Sequence, residues 1–212
     1  MLSNGEYVKQ NFVKGQVLKA AQLNYIENGI ESLVQKINDN NTNVVNIIKI
    51  ENPTKSDLGN FTQLGKVEFS NAVGVDARAF YGNMALTDVN FPVATNIGQN
   101  AFYNCKSLLN VELPSATTID VSAFGNCTGL TSISAPVAET IGRGAFQGDT
   151  SITNVFLPAT TTLGEFVFSG CTSLVSIDAP MIESIASQCF FSCTSLCDIS
   201  LPSIKDIGTQ AF

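Results

Sequence analysis

The chain has 212 residues, of which 44% are hydrophobic and 14% charged, and its 11 Lys and Arg against 18 Asp and Glu give a formal net charge of −7. An acidic chain with no basic stripe to meet phosphates is not expected to bind nucleic acid. The absence of His excludes Ser-His-Asp and Cys-His catalysis, and no apolar run is long enough to insert into a membrane.

The first predicted element is an amphipathic helix in an N-terminal segment, residues 1–43. Its apolar residues recur at spacings of 3, 4, 3 and 4, at Leu23, Ile26, Ile30, Leu33 and Ile37. This seam is typical of a heptad coiled coil, and Ile at the seam positions favours a trimer, so we expect a homo-oligomer. The same stripe could instead fold back on the rest of the chain as a cap, because the helix is short for an autonomous coiled coil.

Residues 12–30 carry the motif F-V-x-G-Q-V-L-x-A-A-Q-L-N-x-I-E-x-G-I. This segment is similar to N-terminal segments of tailed-phage virion proteins, among them tail fibres, baseplate-associated proteins and head fibres. The resemblance implies an attachment segment that docks a distal domain to other virion proteins. Residues 1–12 lack the apolar core of a secretory signal, so the sequence predicts no export by that route.

Residues 44–57 are predicted to form a cap strand and a linker. Val45 and Ile47 precede Val67 and Phe69 by one period of the repeat that follows, which places the cap strand beside the first repeat. A first unit that departs from the repeat pattern is typical of solenoid capping.

Residues 58–212 form an uninterrupted repeat whose period is the interval from Phe80 to Phe102. At this period, Phe recurs at Phe80, Phe102, Phe124, Phe146, Phe168, Phe190 and Phe212, and Pro recurs at Pro92, Pro114, Pro136, Pro158, Pro180 and Pro202. A fixed period of this length predicts a solenoid, because one unit cannot bury its apolar face alone but stacked units share a core. We expect seven rungs, the last incomplete, with one continuous parallel sheet and with Phe102, Phe124 and Phe146 buried. Because the sequence stops in mid-repeat, we also expect that the natural protein continues or that a partner covers this end.

Residues 97–114 read I-G-x-x-A-F-x-x-C-x-x-L-x-x-V-x-L-P. This pattern resembles the BspA-like class of leucine-rich repeat over roughly residues 58–212. The resemblance implies a curved, right-handed superhelix used for binding, as in relatives that are mostly surface or secreted adhesion-type proteins. Residues 98–105 are predicted to form a turn or a short helical piece opposite the sheet. Many phage fibre proteins carry β-structured fibres where this chain carries such repeats.

Four of the six cysteines share one repeat position: Cys105, Cys127, Cys171 and Cys193. Asn83 and Asp149 occupy the same position in two other rungs. We interpret the cysteines as small buried thiols. Disulfides between adjacent rungs would suffer from parallel Cβ vectors, and a zinc site at Cys189, Cys193 and Cys197 lacks a His to complete it, so we expect neither metal nor cofactor.

Outward positions of the predicted strands form two rows of small polar and acidic side chains. The candidate binding residues are Asp88, Asn90, Asn110, Glu112, Asn154, Phe156, Asp178 and Asp198, together with Tyr81 and Tyr103 at another outward position. Phe156 is either a stray surface residue or a binding anchor. The expected partner is a host surface protein or a glycan.

These features predict a non-enzymatic binding protein and leave two hypotheses for its setting. The favoured one is a phage virion protein of the fibre type, made in the host cytoplasm, which displays the repeats for host-surface recognition. The alternative is a bacterial cell-surface or secreted repeat protein that binds host proteins.

Overall fold

The computed structural model of the chain describes residues 32–34, 47–50, 65–68 and 72–212. Among these residues, no helix is long and apolar enough to cross a membrane. The repeats stack as a solenoid with one parallel sheet on each of two sides, and the apolar core lies between the sheets.

The first sheet contains one short strand from each repeat and two strands that precede the repeats. Its strands are β1 (Ser32–Val34), β2 (Ile47–Ile50), β3 (Lys66–Glu68), β5 (Asp88–Asn90), β7 (Asn110–Glu112), β9 (Ser132–Ser134), β11 (Asn154–Phe156), β13 (Ser176–Asp178) and β15 (Asp198–Ile199). From β2 onward they are parallel, with Val111 opposite Ile133 as an example of the register. Asn110 and Glu112 are exposed while Val111 between them is buried, which is the alternation expected of a strand with one face on the core. Pro114 follows closely and ends the ladder because it has no N–H to donate.

The N-terminal end of this sheet departs from the predicted helix. Ser32–Val34 is a strand that pairs antiparallel with β2, so Leu33 lies opposite Lys49. The helix prediction is therefore wrong at these three residues, since the unpaired edge of β2 offers backbone hydrogen bonds that a helix cannot use. The other residues of the predicted heptad seam, Leu23, Ile26, Ile30 and Ile37, lie outside the described residues.

The strand β2 lies parallel to β3, as a cap strand does, but its register differs from the predicted one. Ile48 lies opposite Val67, whereas the repeat period had placed Val45 there. Ile48 is closer to Val67 in sequence than Val45 is, so the segment between β2 and β3 is shorter than a full repeat. Val45 itself lies outside the described residues.

The first sheet is the continuous parallel sheet that the repeats predict, whereas the structure adds a second parallel sheet that was not predicted. Its strands are β4 (Gly74–Val75), β6 (Asn96–Ile97), β8 (Thr118–Ile119), β10 (Thr140–Ile141), β12 (Thr162–Leu163), β14 (Ser184–Ile185) and β16 (Asp206–Ile207). A strict period brings every extended segment beside its own copy, so even a two-residue segment finds a ladder partner. Ile119 points into the core and is fully buried, while Thr118 is half-buried.

The segment after each second-sheet strand is a turn, not a helical piece. Asn100 and Asn104 have positive φ values of 56° and 67°, in the left-handed region that Asn tolerates better than most residues. The N–H of Phe102, between them, donates to the carbonyl oxygen of Ala123 in the next rung at 2.7 Å. The turns are therefore tied from rung to rung, as the strands are.

The repeated Phe residues form a continuous stack through the core. Ring centroids of successive residues from Phe80 to Phe212 lie 5.0–5.5 Å apart, with interplanar angles of 3–12°. The predicted burial of Phe102, Phe124 and Phe146 is confirmed, because all three side chains are completely inaccessible to solvent. Each ring between Phe80 and Phe212 stacks on a neighbour on both sides, so the stack links the rungs into one core.

Candidate functional site

The repeat position that holds four of the cysteines has a structural role. Each thiol donates a hydrogen bond of 3.0–3.1 Å to the backbone carbonyl oxygen of the Phe residue 25 positions earlier, at Cys105, Cys127, Cys171 and Cys193. All six cysteines are free thiols, in agreement with the interpretation as small buried side chains for those in the core. In the described part of the chain, no group of three or more His, Cys, Asp or Glu side chains is placed to hold a metal ion.

Asp149 places a carboxyl group in this buried position. Its Oδ1 accepts a hydrogen bond of 2.8 Å from the N–H of Cys127, while its Oδ2 has no hydrogen-bond partner. The residue is completely buried, and burial raises the pKa of the Asp149 carboxyl well above its usual range, although the hydrogen bond from Cys127 opposes this shift. The side chain is enclosed, so it affects stability and cannot reach a ligand.

A groove crosses the outer face of the first sheet. It has a volume of about 500 Å³ and extends across β7, β9, β11 and β13. Its lining residues are Asn110, Val111, Glu112, Ser132, Ile133, Ser134, Asn154, Val155, Phe156, Ser176 and Asp178. The outward side chains are mainly small and polar, so the groove presents hydroxyl and amide groups along the solenoid axis.

Phe156 is the large apolar side chain that this polar groove exposes. It is 41% exposed, although it occupies the row that holds Glu112, Ser134 and Asp178 on the other three strands. Asp178 lies directly opposite it on β13, about 4.8 Å away across the ladder. The groove therefore combines an aromatic ring with an adjacent carboxylate.

Five of the candidate binding residues meet in this groove: Asn110, Glu112, Asn154, Phe156 and Asp178. Asp88 and Asn90 lie on β5 and Asp198 on β15, beyond its two ends. Asp88 is also engaged locally, since its Oδ1 lies 4.0 Å from Nζ of Lys66 and its Oδ2 accepts from the hydroxyl of Thr87 at 2.8 Å.

The two candidate tyrosines lie elsewhere, in the turns that follow the second sheet. The rings of Tyr81 and Tyr103 are stacked, with centroids 5.4 Å apart and an interplanar angle of 15°. The hydroxyl of Tyr103 accepts a hydrogen bond of 2.7 Å from Nδ2 of Asn126. Stacking and hydrogen bonding within the turns account for this pair, which is separate from the groove.

The candidate set omitted the groove's three serines, Ser132, Ser134 and Ser176. They occupy the same repeat positions as Asn110, Glu112 and Asn154, so the periodicity contained the signal. The candidate residues have larger side chains, whereas the small serines leave the space that makes the groove.

Residues 59–160 and 117–212 match the BspA-type leucine-rich repeat region, in six copies. The chain belongs to this leucine-rich repeat family. Among solved structures, the solenoid is similar to a leucine-rich repeat protein from Bacteroides ovatus, with 26% identity and a TM-score of 0.65 over 74% of this chain. It is also similar to the T. pallidum leucine-rich repeat protein, with 29% identity and a TM-score of 0.64 over 76% of this chain and 78% of that one.

The leucine-rich repeat chain spans 43% of the length of the Bacteroides ovatus protein. No curated protein matches it in sequence. Solenoids of stacked repeats in general present extended surfaces, and the first sheet of this chain carries an extended groove.

Proposed function

We propose that this leucine-rich repeat chain is a surface-binding protein and that the groove on the first sheet contacts its macromolecular partner. The observation that carries the proposal is Phe156, an exposed ring in the middle of an otherwise small and polar groove. A large ring that is exposed to solvent in the free protein contributes strongly to the binding free energy when a partner covers it, as is usual for a binding anchor.

The spacing of the acidic groups supports binding over hydrolysis. Glu112 and Asp178 lie on β7 and β13, three strand spacings apart, which is about 14 Å. The paired carboxylates of glycosidases lie roughly 5–9.5 Å apart. The two carboxylates of the groove are therefore placed to contact separate points of an extended partner.

Replacement of Phe156 by Ser tests the proposal. Ser is the residue at the equivalent position of the neighbouring strand, Ser134, so the change is compatible with the fold. The fluorescently labelled full chain is measured against immobilised surface proteins, a glycan array and intact cells. We expect saturable binding that falls by about tenfold or more in Phe156→Ser, as for a central aromatic anchor.

Phe191→Ser is the matched control, because Phe191 is 44% exposed but lies in a turn after the second sheet. It should leave binding unchanged. An equal loss in both variants, or no saturable binding to any of the three surfaces, would contradict the proposal.

Two settings are compatible with such a binding protein, and each has its own support. The family match supports a bacterial cell-surface or secreted protein, whereas the motif at residues 12–30 supports attachment to a phage particle through other virion proteins. The trimer predicted for the N-terminal segment stays a prediction, and Leu33 does not belong to a helical seam because it lies in β1.

Mass spectrometry of two fractions distinguishes the settings. Purified phage particles from the source organism are compared with peptides released by mild proteolysis of intact bacterial cells. Enrichment of the chain in the particles supports the virion setting, and enrichment in the cell-surface peptides overturns it.

A further inference from the structure

The groove presents an aromatic ring and a carboxylate side by side. Phe156 and Asp178 are paired across β11 and β13, and both side chains are exposed. No Lys or Arg occurs among the groove's lining residues, and in the described part of the chain no cation forms an ion pair with Glu112 or Asp178. The potential of the groove is therefore negative, as is the net charge of −7 of the whole chain.

Elsewhere in the chain, an aromatic ring and a carboxylate together contact an arginine. In the turns after the second sheet, Cζ of Arg143 lies 5.1 Å from the ring centroid of Phe166. Nε of the same guanidinium lies 3.4 Å from Oε2 of Glu165. An aromatic ring beside a carboxylate thus holds an arginine within the chain, through a cation–π contact and an ion pair.

We propose that the groove binds an extended protein segment with basic side chains four residues apart, a proposal that rests on the proposed function and specifies its partner. One arginine or lysine lies over Phe156 and pairs with Asp178, and a second pairs with Glu112. The two carboxylates are about 14 Å apart, and an extended segment that crosses the strands advances about 3.4 Å per residue. Residues i and i+4 of such a segment point to the same face and span this distance.

The test uses full-length protein and fluorescently labelled ten-residue Ser/Gly peptides. One peptide carries Arg-Ser-Gly-Ser-Arg, a second has its two arginines adjacent, and a third has Gln at both arginine positions. Fluorescence anisotropy is recorded at 20 and 300 mM salt, with a neutral hexasaccharide of N-acetylglucosamine as competitor. We expect the first peptide to bind more tightly than the other two and to weaken at high salt.

The matched variants are Asp178→Asn and Glu139→Gln, which remove the same charge. Glu139 is exposed but precedes β10 of the second sheet, far from the groove lining. We expect Asp178→Asn to weaken binding of the first peptide by at least about threefold, in line with an ion pair and a cation–π contact, and Glu139→Gln to leave it unchanged.

Any of three outcomes contradicts the proposal of a basic partner. These are equal affinity for the Arg and Gln peptides, an equal loss of affinity for the first peptide in the two variants, or no binding of any peptide. The hexasaccharide is also added as a competitor to the first peptide on the wild type and on Phe156→Ser. Displacement of the peptide from the wild type, at a hexasaccharide concentration that does not change the peptide's affinity for Phe156→Ser, would assign the groove to a glycan. That result removes the basic partner and leaves the proposed binding function of the groove intact, whereas insensitivity of all surface binding to Phe156→Ser removes the proposed function itself.

Discussion

The thiol of Cys127 donates a hydrogen bond of 3.0 Å to the backbone carbonyl oxygen of Phe102, in the preceding rung. The same bond recurs wherever Cys fills this repeat position, so the position selects a small buried side chain with a weak donor. Asp149 fills it with an acid, and one oxygen of that acid has no partner. The rung of Asp149 therefore has a core that differs in chemistry from those of its two neighbours, which carry Cys127 and Cys171.

Replacement of Asp149 by Cys should stabilise the protein. The change removes a buried, unpartnered polar atom and supplies the donor that Cys127 and Cys171 provide in the adjacent rungs. Leaving a buried polar group unsatisfied costs about 1–3 kcal/mol, so we expect a gain of that size in the free energy of unfolding. Urea denaturation at pH 7 measures it, and a variant less stable than the wild type would show that the bond from Cys127 to Oδ1 outweighs this cost.

Stability should also fall as the pH rises. The unfolded chain releases the Asp149 proton near the ordinary carboxyl pKa of about 4, whereas burial raises the pKa in the folded protein. Between the two values the folded state binds more protons, so the free energy of unfolding decreases with increasing pH. The groups that face this carboxyl, Cys127 and Cys171, have thiol pKa values that burial raises well above the ordinary range, so they stay neutral.

The comparison with Asp149→Asn isolates this effect. Asn is tolerated at the same repeat position in Asn83, which is also buried. Urea midpoints are measured from pH 5 to 8 for both proteins, and the wild type should lose more stability across the range. Parallel pH profiles would mean that Asp149 ionises in the folded protein as readily as in the unfolded chain.

The sequence was sufficient to predict the solenoid, because the constant positions and the buried positions are the same. Phe102, Leu108 and Val111 recur without a gap, and a residue that stacks on its own copies in every rung leaves a strong signal. The second sheet was missed because its strands have two residues each, as in Thr118–Ile119, too few to show an alternation. The strand at Ser32–Val34 was missed because it depends on the distant edge of β2 and not on local spacing.

The groove was only partly predictable. Alternation placed Glu112 and Phe156 in one outward row, and the structure puts both in the groove. Sequence position could not show that small side chains such as Ser134 leave a depression beside Phe156. Periodicity assigned the two tyrosines to a separate outward position, but it could not show that their rings stack on each other.

The Phe stack provides a stability test with an internal control. Phe124 is completely buried between two rings, so Phe124→Ala should cost about 3–5 kcal/mol in the free energy of unfolding. Phe212 occupies the same repeat position but is 54% exposed and stacks on Phe190. Its replacement by Ala should cost about 1 kcal/mol, the value of one aromatic contact. Equal losses in urea denaturation would contradict the view that two-sided stacking and burial stabilise the solenoid.

The thiols should react in the order of their exposure. Cys197 is exposed and Cys193 half-buried, whereas Cys105, Cys127, Cys171 and Cys189 are buried. Burial also raises the pKa of Cys193 to about 11 and that of Cys189 to about 12, which lowers the fraction of reactive thiolate at neutral pH. Native protein treated with iodoacetamide at pH 8 should therefore be alkylated first at Cys197, then slowly at Cys193, and at all six positions only in denaturant.

A reductant should leave Tm unchanged, because no disulfide constrains the unfolded chain. A fall in Tm of about 10 °C with reductant, together with fewer than six alkylated thiols in denaturant, would reveal a disulfide between rungs.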